Sequence, residues 1–182
     1  MRLTPGLRLT VEQPGHGRTT AAEGRLPVMG VNQRAAIKMT DEEIDAFLHE
    51  QRTMSMATIG PGGSIHLVAM WYGFVDGAIG FETKAKSQKV QNLRRDNRLT
   101  VMVEDGLKYE ELRGVELAGR GEVIEDAEQL FELGVSVFER YQGPYTPEMK
   151  PFVDAMLNKR VLVKLHPERV VSWDHRKLRA AP

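Results

Sequence analysis

Between residues 53 and 84, two short glycine-containing turns, GPGG and VDG, separate runs of β-forming sequence: MSMATIG, SIHLVAMWYGF and AIGFET. Turns this short leave no room for a crossover helix. Adjacent strands must therefore run antiparallel, and the segment is expected to form a three-stranded meander. GPGG lacks the lysine and following helix of a phosphate loop and reads as a plain hairpin turn. Downstream, RLTVMVED alternates Leu99, Val101 and Val103 as a half-buried strand. ELRGVELAGRGEVIED reads as one or two strands broken at Gly114, Gly119 and Gly121, which suggests a bulge or sharp coil, and RVLVKLHPERVVSWD as a strand interrupted at His166-Pro167. The sum is a mainly β chain of six or seven antiparallel strands with a few helices, and its glycine kinks favour a sheet that curls into a barrel. The absence of a βαβ rhythm argues against a doubly wound nucleotide-binding fold.

Three helices are expected outside the basic stretch of residues 84–98. Thr40 and Glu43 form a capping box ahead of Ile44, Phe47 and Leu48. Asp126 and Gln129 open a second helix, whose inner face is read as Leu130, Phe131, Val135, Phe138 and Tyr141 and which ends at Gly143-Pro144. Thr146-Pro147-Glu148 opens a third, with Met149, Phe152, Val153 and Met156 facing inward. Residues 1–36 show no period and read as a flexible extension, with Met29 and Met39 both candidates for a natural start; residues 37–182 form one domain. The 25 Lys and Arg balance 25 Asp and Glu, so no global field draws the chain to nucleic acid or anionic lipid, and any positive site must be local. There is no cysteine, which excludes thiolate chemistry and Cys-ligated zinc and fits a reducing cytoplasm. No apolar run approaches the roughly 18 residues of a membrane span, and no apolar signal core opens the chain. The sequence reads as cytosolic.

The local positive site is KAKSQKVQNLRRDNR, residues 84–98, with six Lys or Arg against one Asp. Ser87 stands at a helix N-cap position directly after a strand, Val90 and Leu93 share an inward face, and Asn97 marks a stop. Free N–H groups near Ser87 to Lys89 would make an anion site, with Lys84, Lys86 and Lys89 around it. Each charge-assisted contact there contributes roughly 1.5–3 kcal/mol when shielded from water. A solvated basic face is the alternative reading. Arg94, Arg95 and Arg98, at the far end, read as partners of the helix C-terminal dipole. A nucleic-acid patch is disfavoured, because no aromatics interleave the lysines. The five histidines, His16, His49, His66, His166 and His175, do not cluster, and no metal site or nucleophile motif is expected.

The run FETKAKSQKVQNLRRDNRLTVMV, together with VELAGRGEVIED and HPERVVSWD, resembles the pyridoxamine-phosphate-oxidase-like superfamily of split β-barrels. The matching positions are Thr83, Ser87-Gln88-Lys89, Asn92-Leu93 and Asp96-Asn97-Arg98, within a likeness extending from about residue 40 to 174. The resemblance implies a split β-barrel homodimer with a flavin or deazaflavin at the subunit interface. Thr83, Ser87, Gln88 and Lys89 would hold its phosphate, the strand Val68-Ala69-Met70-Trp71 would run under its ring, and residues near Gly114 to Leu117 and Trp173 would approach from the second subunit. The tail DHRKLRAAP does not match that of enzymes acting on vitamin B6, and VAMW replaces basic residues common in the FMN strand. The compact form is more similar to the branch using the deazaflavin F420, whose phosphodiester and oligoglutamate tail Lys84 and Lys86 would suit. The expectation is thus an F420H2-dependent reductase acting on a small electron-poor acceptor. An FMN-dependent oxidoreductase, or a carrier of flavin, haem or deazaflavin without turnover, is the alternative. No catalytic side chain is required by such chemistry. Glu82 reads as an exposed strand residue or as a cofactor contact.

Overall fold

The computed structural model describes residues 33–179. The expected extension lies outside them except for residues 33–36, which form a one-turn helix, α1 (Gln33–Ala36). His16 and Met29 also fall outside. The domain proper follows as α2 (Asp41–Glu50), β1 (Thr53–Ile59), β2 (Ile65–Trp71), β3 (Gly73–Val75), β4 (Ala78–Lys84), α3 (Gln88–Arg95), β5 (Arg98–Asp105), β6 (Arg113–Ile124), α4 (Ala127–Tyr141), α5 (Lys150–Leu157) and β7 (Arg160–Asp174). The seven strands form one antiparallel sheet in the order β2-β1-β5-β6-β7-β4-β3, curled into a half-barrel.

That order corrects the expected meander. SIHLVAMWYGF is two strands, not one: β2 pairs with β1, β3 pairs with β4, and the two lie at opposite edges of the sheet. The break falls at Tyr72, which is fully buried. Its N–H donates to Tyr141 Oη (3.1 Å) and its carbonyl accepts from Arg140 Nε (3.1 Å), so the backbone groups that would otherwise extend a ladder are tied to α4, while its hydroxyl lies 2.7 Å from Leu48 O and 3.1 Å from Gln51 O. The VDG turn holds as expected, with φ of 49° at Asp76 and 70° at Gly77 closing β3 onto β4.

Two other expected breaks do not occur. β6 runs unbroken through Gly114, Gly119 and Gly121, and β7 through His166-Pro167. Their ladder slips one residue between Ala118 and Gly119, where a Cβ on Gly119 would collide with the His166 carbonyl. The glycine thus admits a bulge and does not end the strand. Gly114 lies opposite Trp173, whose ring occupies the space a Cβ would need.

Inside the curl, Met54, Met56, Phe81, Leu99, Val101, Val103, Val115 and Leu117 alternate inward from four strands and meet Phe47 and Leu48 of α2. Burying side chains of this size stabilises by about 1.5–3 kcal/mol each. The capping box closes as expected, Glu43 Oε2 accepting from Thr40 N (2.7 Å) and Thr40 Oγ1 from Glu43 N (3.3 Å). α4 begins at its Asp126 cap, but its buried residues are Leu133, Gly134, Val137 and Phe138, so Val135 lies off the stripe. α5 buries Val153 and Leu157, whereas Met149 and Phe152, expected inside, are 42% and 57% exposed. Gly134 explains the offset: Leu157 and Val153 seat directly against it, which fixes the face that α5 presents. The ends of the domain also meet, Asp174 N donating to Ile37 O (2.7 Å) and Met39 N to Ser172 Oγ (3.1 Å). No helix of the described residues is long and apolar enough to cross a membrane.

Candidate functional site

β4 delivers the chain to the site and α3 carries it away. At the junction Ser87 N donates to Lys84 O (2.8 Å) and Ala85 N to Lys159 O (3.0 Å), pinning the connection against the turn before β7. Lys159 adopts a φ of 59°, which sharpens that turn. Ser87 is the N-cap residue of α3: its carbonyl accepts from Val90 N and Gln91 N (both 3.1 Å). Its side chain makes no capping bond. Instead its hydroxyl accepts from Thr83 Oγ1 (3.4 Å), and Lys89 Nζ donates to that same Thr83 oxygen (3.2 Å). Thr83, Ser87 and Lys89 therefore meet in one cluster, from a strand end, a cap and the first turn of a helix.

The electrostatics of this cluster are unbalanced. Thr83 is buried, Lys89 is half-buried, and among the described residues no carboxylate pairs with Lys89. Burial, and secondly the charge of Arg160, pull the lysine's pKa below its ordinary value. A bound anion would reverse that penalty. Arg160, which the sequence reading missed, opens β7 opposite Lys84 in the ladder, and its Nε is buried without a hydrogen-bond partner. No local motif marks it; only the cross-strand register brings it here. Its Nη1 lies 3.7 Å from Glu82 Oε1. Glu82 is 8% exposed, which corrects its reading as an exposed strand residue, and burial raises its pKa.

The remaining expected cofactor residues divide. Lys84 Nζ donates to Asn158 O (2.8 Å) and its side chain is exposed, as is Lys86. Gln88 turns along the helix, Nε2 donating to Asn92 Oδ1 (2.8 Å). On β2 the residues alternate: Val68 and Met70 pack against the core, while Ala69 and Trp71 face outward with Ile65 and Leu67. The four strand residues thus do not share one face. Trp71 stacks on Tyr141, the ring centroids 4.2 Å apart and the planes within 10°.

The frame of seven antiparallel strands curled into a half-barrel agrees with the comparisons. Residues 40–174 match the family model described as pyridoxamine 5'-phosphate oxidase. The chain belongs to that family. Among solved structures, a conserved hypothetical protein from Mycobacterium tuberculosis is 55% identical, with a TM-score of 0.79 over 82% of this chain and 92% of the other. A protein described as an F420 reductase shares 23% identity (TM-score 0.54, 69% and 93% covered), and the haem storage protein HutZ from Vibrio cholerae 16% (0.58, 72% and 93%). These last two share the fold alone. No curated protein matches.

In this member of the pyridoxamine 5'-phosphate oxidase family the described histidines sit apart. His49 stacks on Phe74 (4.0 Å), His166 Nε2 lies 2.8 Å from Glu122, His175 Nδ1 lies 2.7 Å from Tyr109 O, and His66 lies in β2. No group of three or more His, Cys, Asp or Glu among the described residues could hold a metal ion.

Proposed function

We propose that this protein is an F420H2-dependent reductase, working as a homodimer and passing reducing equivalents to a small electron-poor acceptor. The observation that carries the reading is the half-buried Lys89 ammonium, bonded to Thr83 and lacking a carboxylate among the described residues. Such a group suits a phosphate ester, with the Ser87 hydroxyl and the N–H groups of Gln88 and Lys89 at the helix start supplying further donors. The exposed Lys84 and Lys86 support F420 over FMN, since an acidic tail could lie along them without entering the buried cluster. When bound, the deazaflavin supplies the hydride; the chain's own residues hold the phosphate, orient the ring and exclude water.

The edge strand supports the dimer. β2 exposes Ile65 (64%), Leu67 (65%) and Trp71 (52%) on one face, an apolar row that a second copy would cover. The barrel-sharing haem storage protein favours one other reading, a carrier without turnover.

Titration of the purified chain with F420 and, separately, with FMN and haem, followed by fluorescence and absorbance, tests the reading. Selective F420 binding with oxidation of F420H2 by nitroaromatic or quinone acceptors is expected. Preference for FMN or haem, or binding without turnover, would replace it with the flavin enzyme or the carrier. Dimer mass in the wild type and its loss in Leu67→Glu check the interface.

A further inference from the structure

The arginine half of the basic stretch faces a cavity away from the Lys89 cluster. A groove of about 830 Å³ opens between the C-terminal end of α3 and the turn joining β1 to β2. Arg94, Arg95, Arg98 and Arg120 line it, with Asp96 the one carboxylate among the lining residues. The opposite wall is the GPGG turn, where a Cβ on Gly62 or Gly63 would meet nothing within 4 Å, so bare backbone borders open space.

The convergence is not explained by helix ending alone. Arg94 and Arg95 lie in the last turn of α3, where the dipole favours them, but Arg98 and Arg120 come from β5 and β6. Those two are directly opposite in the β5–β6 ladder, a like-charge pairing that Asp96 and Glu168 offset. Arg120 reaches Glu168 and Arg94 reaches Glu125, both exposed pairs, while Arg98 forks onto the partly buried Asp96. Exposed pairs of this kind contribute little and exchange readily. Arg95 has no carboxylate among the described residues and donates to the Ile59 carbonyl and to Asn92 Oδ1. None of the lining residues is aromatic, so the groove offers no platform for stacking bases.

We propose that this groove binds a small multivalent anion, carrying two or more carboxylate or phosphate groups, on the guanidinium forks of Arg95, Arg98 and Arg120. Planar forks match both groups bidentately, and several within one groove select for a ligand with more than one of them. The inference is independent of the cofactor reading, because it uses none of the same residues.

The test is calorimetric titration, at low salt, of the full chain carrying Lys89→Ala, which silences the other cluster. The probes are citrate and tripolyphosphate. Saturable one-to-one binding of either is expected, weakened at least tenfold by adding Arg95→Gln and Arg120→Gln. Arg98→Gln alone, at an exposed side chain, is expected to weaken it about threefold and serves if the multiple variant melts early. Citrate alone would assign carboxylates and tripolyphosphate alone phosphates, both within the proposal. No saturable binding of either at millimolar concentration, or binding indifferent to the arginine substitutions, overturns it. So does a single-stranded oligonucleotide that binds more tightly than tripolyphosphate.

Discussion

At the N-terminal end of α3, Lys89 holds its ammonium against a neutral hydroxyl, half out of water and without a counter-charge among the described residues. At the C-terminal end, Arg94, Arg98 and, across the gap, Arg120 are exposed and each reaches a carboxylate. One helix, eight residues long, separates the two. Composition treats the six cations as one patch, but burial and partnership divide them into a strained, specific end and a solvated, adaptable one. Between them stands Asn92, fully buried, accepting from Gln88 on one side and from Arg95 on the other while donating to the buried Thr58 hydroxyl (3.0 Å).

The largest effect is therefore expected at this junction. Asn92→Ala leaves the Thr58 hydroxyl without its partner and loosens both ends together; a loss of about 1–3 kcal/mol in urea unfolding follows from one orphaned buried group. A cost confined to one end's ligand would show that the ends are not mechanically joined. Next comes Lys89→Ala, expected to weaken phosphate-bearing cofactors by roughly 10- to 100-fold, the worth of one charge-assisted bond. Its urea midpoint should hold, since no ion pair is lost; unchanged affinity would remove the N-terminal end as a site. Thr83→Val takes away the hydroxyl shared by Lys89 and Ser87, and about fivefold weaker cofactor binding is expected from one neutral hydrogen bond. Arg94→Ala should change stability by less than about 0.5 kcal/mol, as exposed pairs do.

The comparison also has a pH signature. Because the folded pKa of Lys89 is depressed, its charged form penalises the ligand-free fold at lower pH, and that penalty is relieved as pH rises through the lowered value. Anion affinity runs the other way, falling over the same rise as the ammonium loses its proton. A titration of FMN or F420 affinity from neutral pH up to the ordinary lysine value of 10.5 checks it, and a flat profile over that span would contradict the assignment to Lys89.

Much of this was legible in the sequence. The alternation of Leu99, Val101 and Val103, the Thr40–Glu43 box and the VDG turn are set by near neighbours, and each formed as read. The likeness to the family's motif pointed to Thr83, Ser87 and Lys89, which do meet. What escaped depends on partners distant in the chain. The break at Tyr72 is made by Arg140 and Tyr141, neither of them visible from SIHLVAMWYGF. The continuity of β6 past Gly119 is decided by the His166 carbonyl across the ladder. Phe152 has the residue type of an inner face but lost it to Leu157, because Gly134 offered that side chain the closer seat. Arg160 joined the site by register alone.

The bonds that tie Ile37 to Asp174 and Met39 to Ser172 make the domain a ring in all but covalent linkage. Peptide attached before residue 37 and after residue 174 leaves from the same point on the surface. A circular permutant that joins these ends and opens the chain at the exposed Asp76-Gly77 turn should fold to the same half-barrel. Such a permutant would free this point of emergence and carry any fused module to the turn beside the short strand β3.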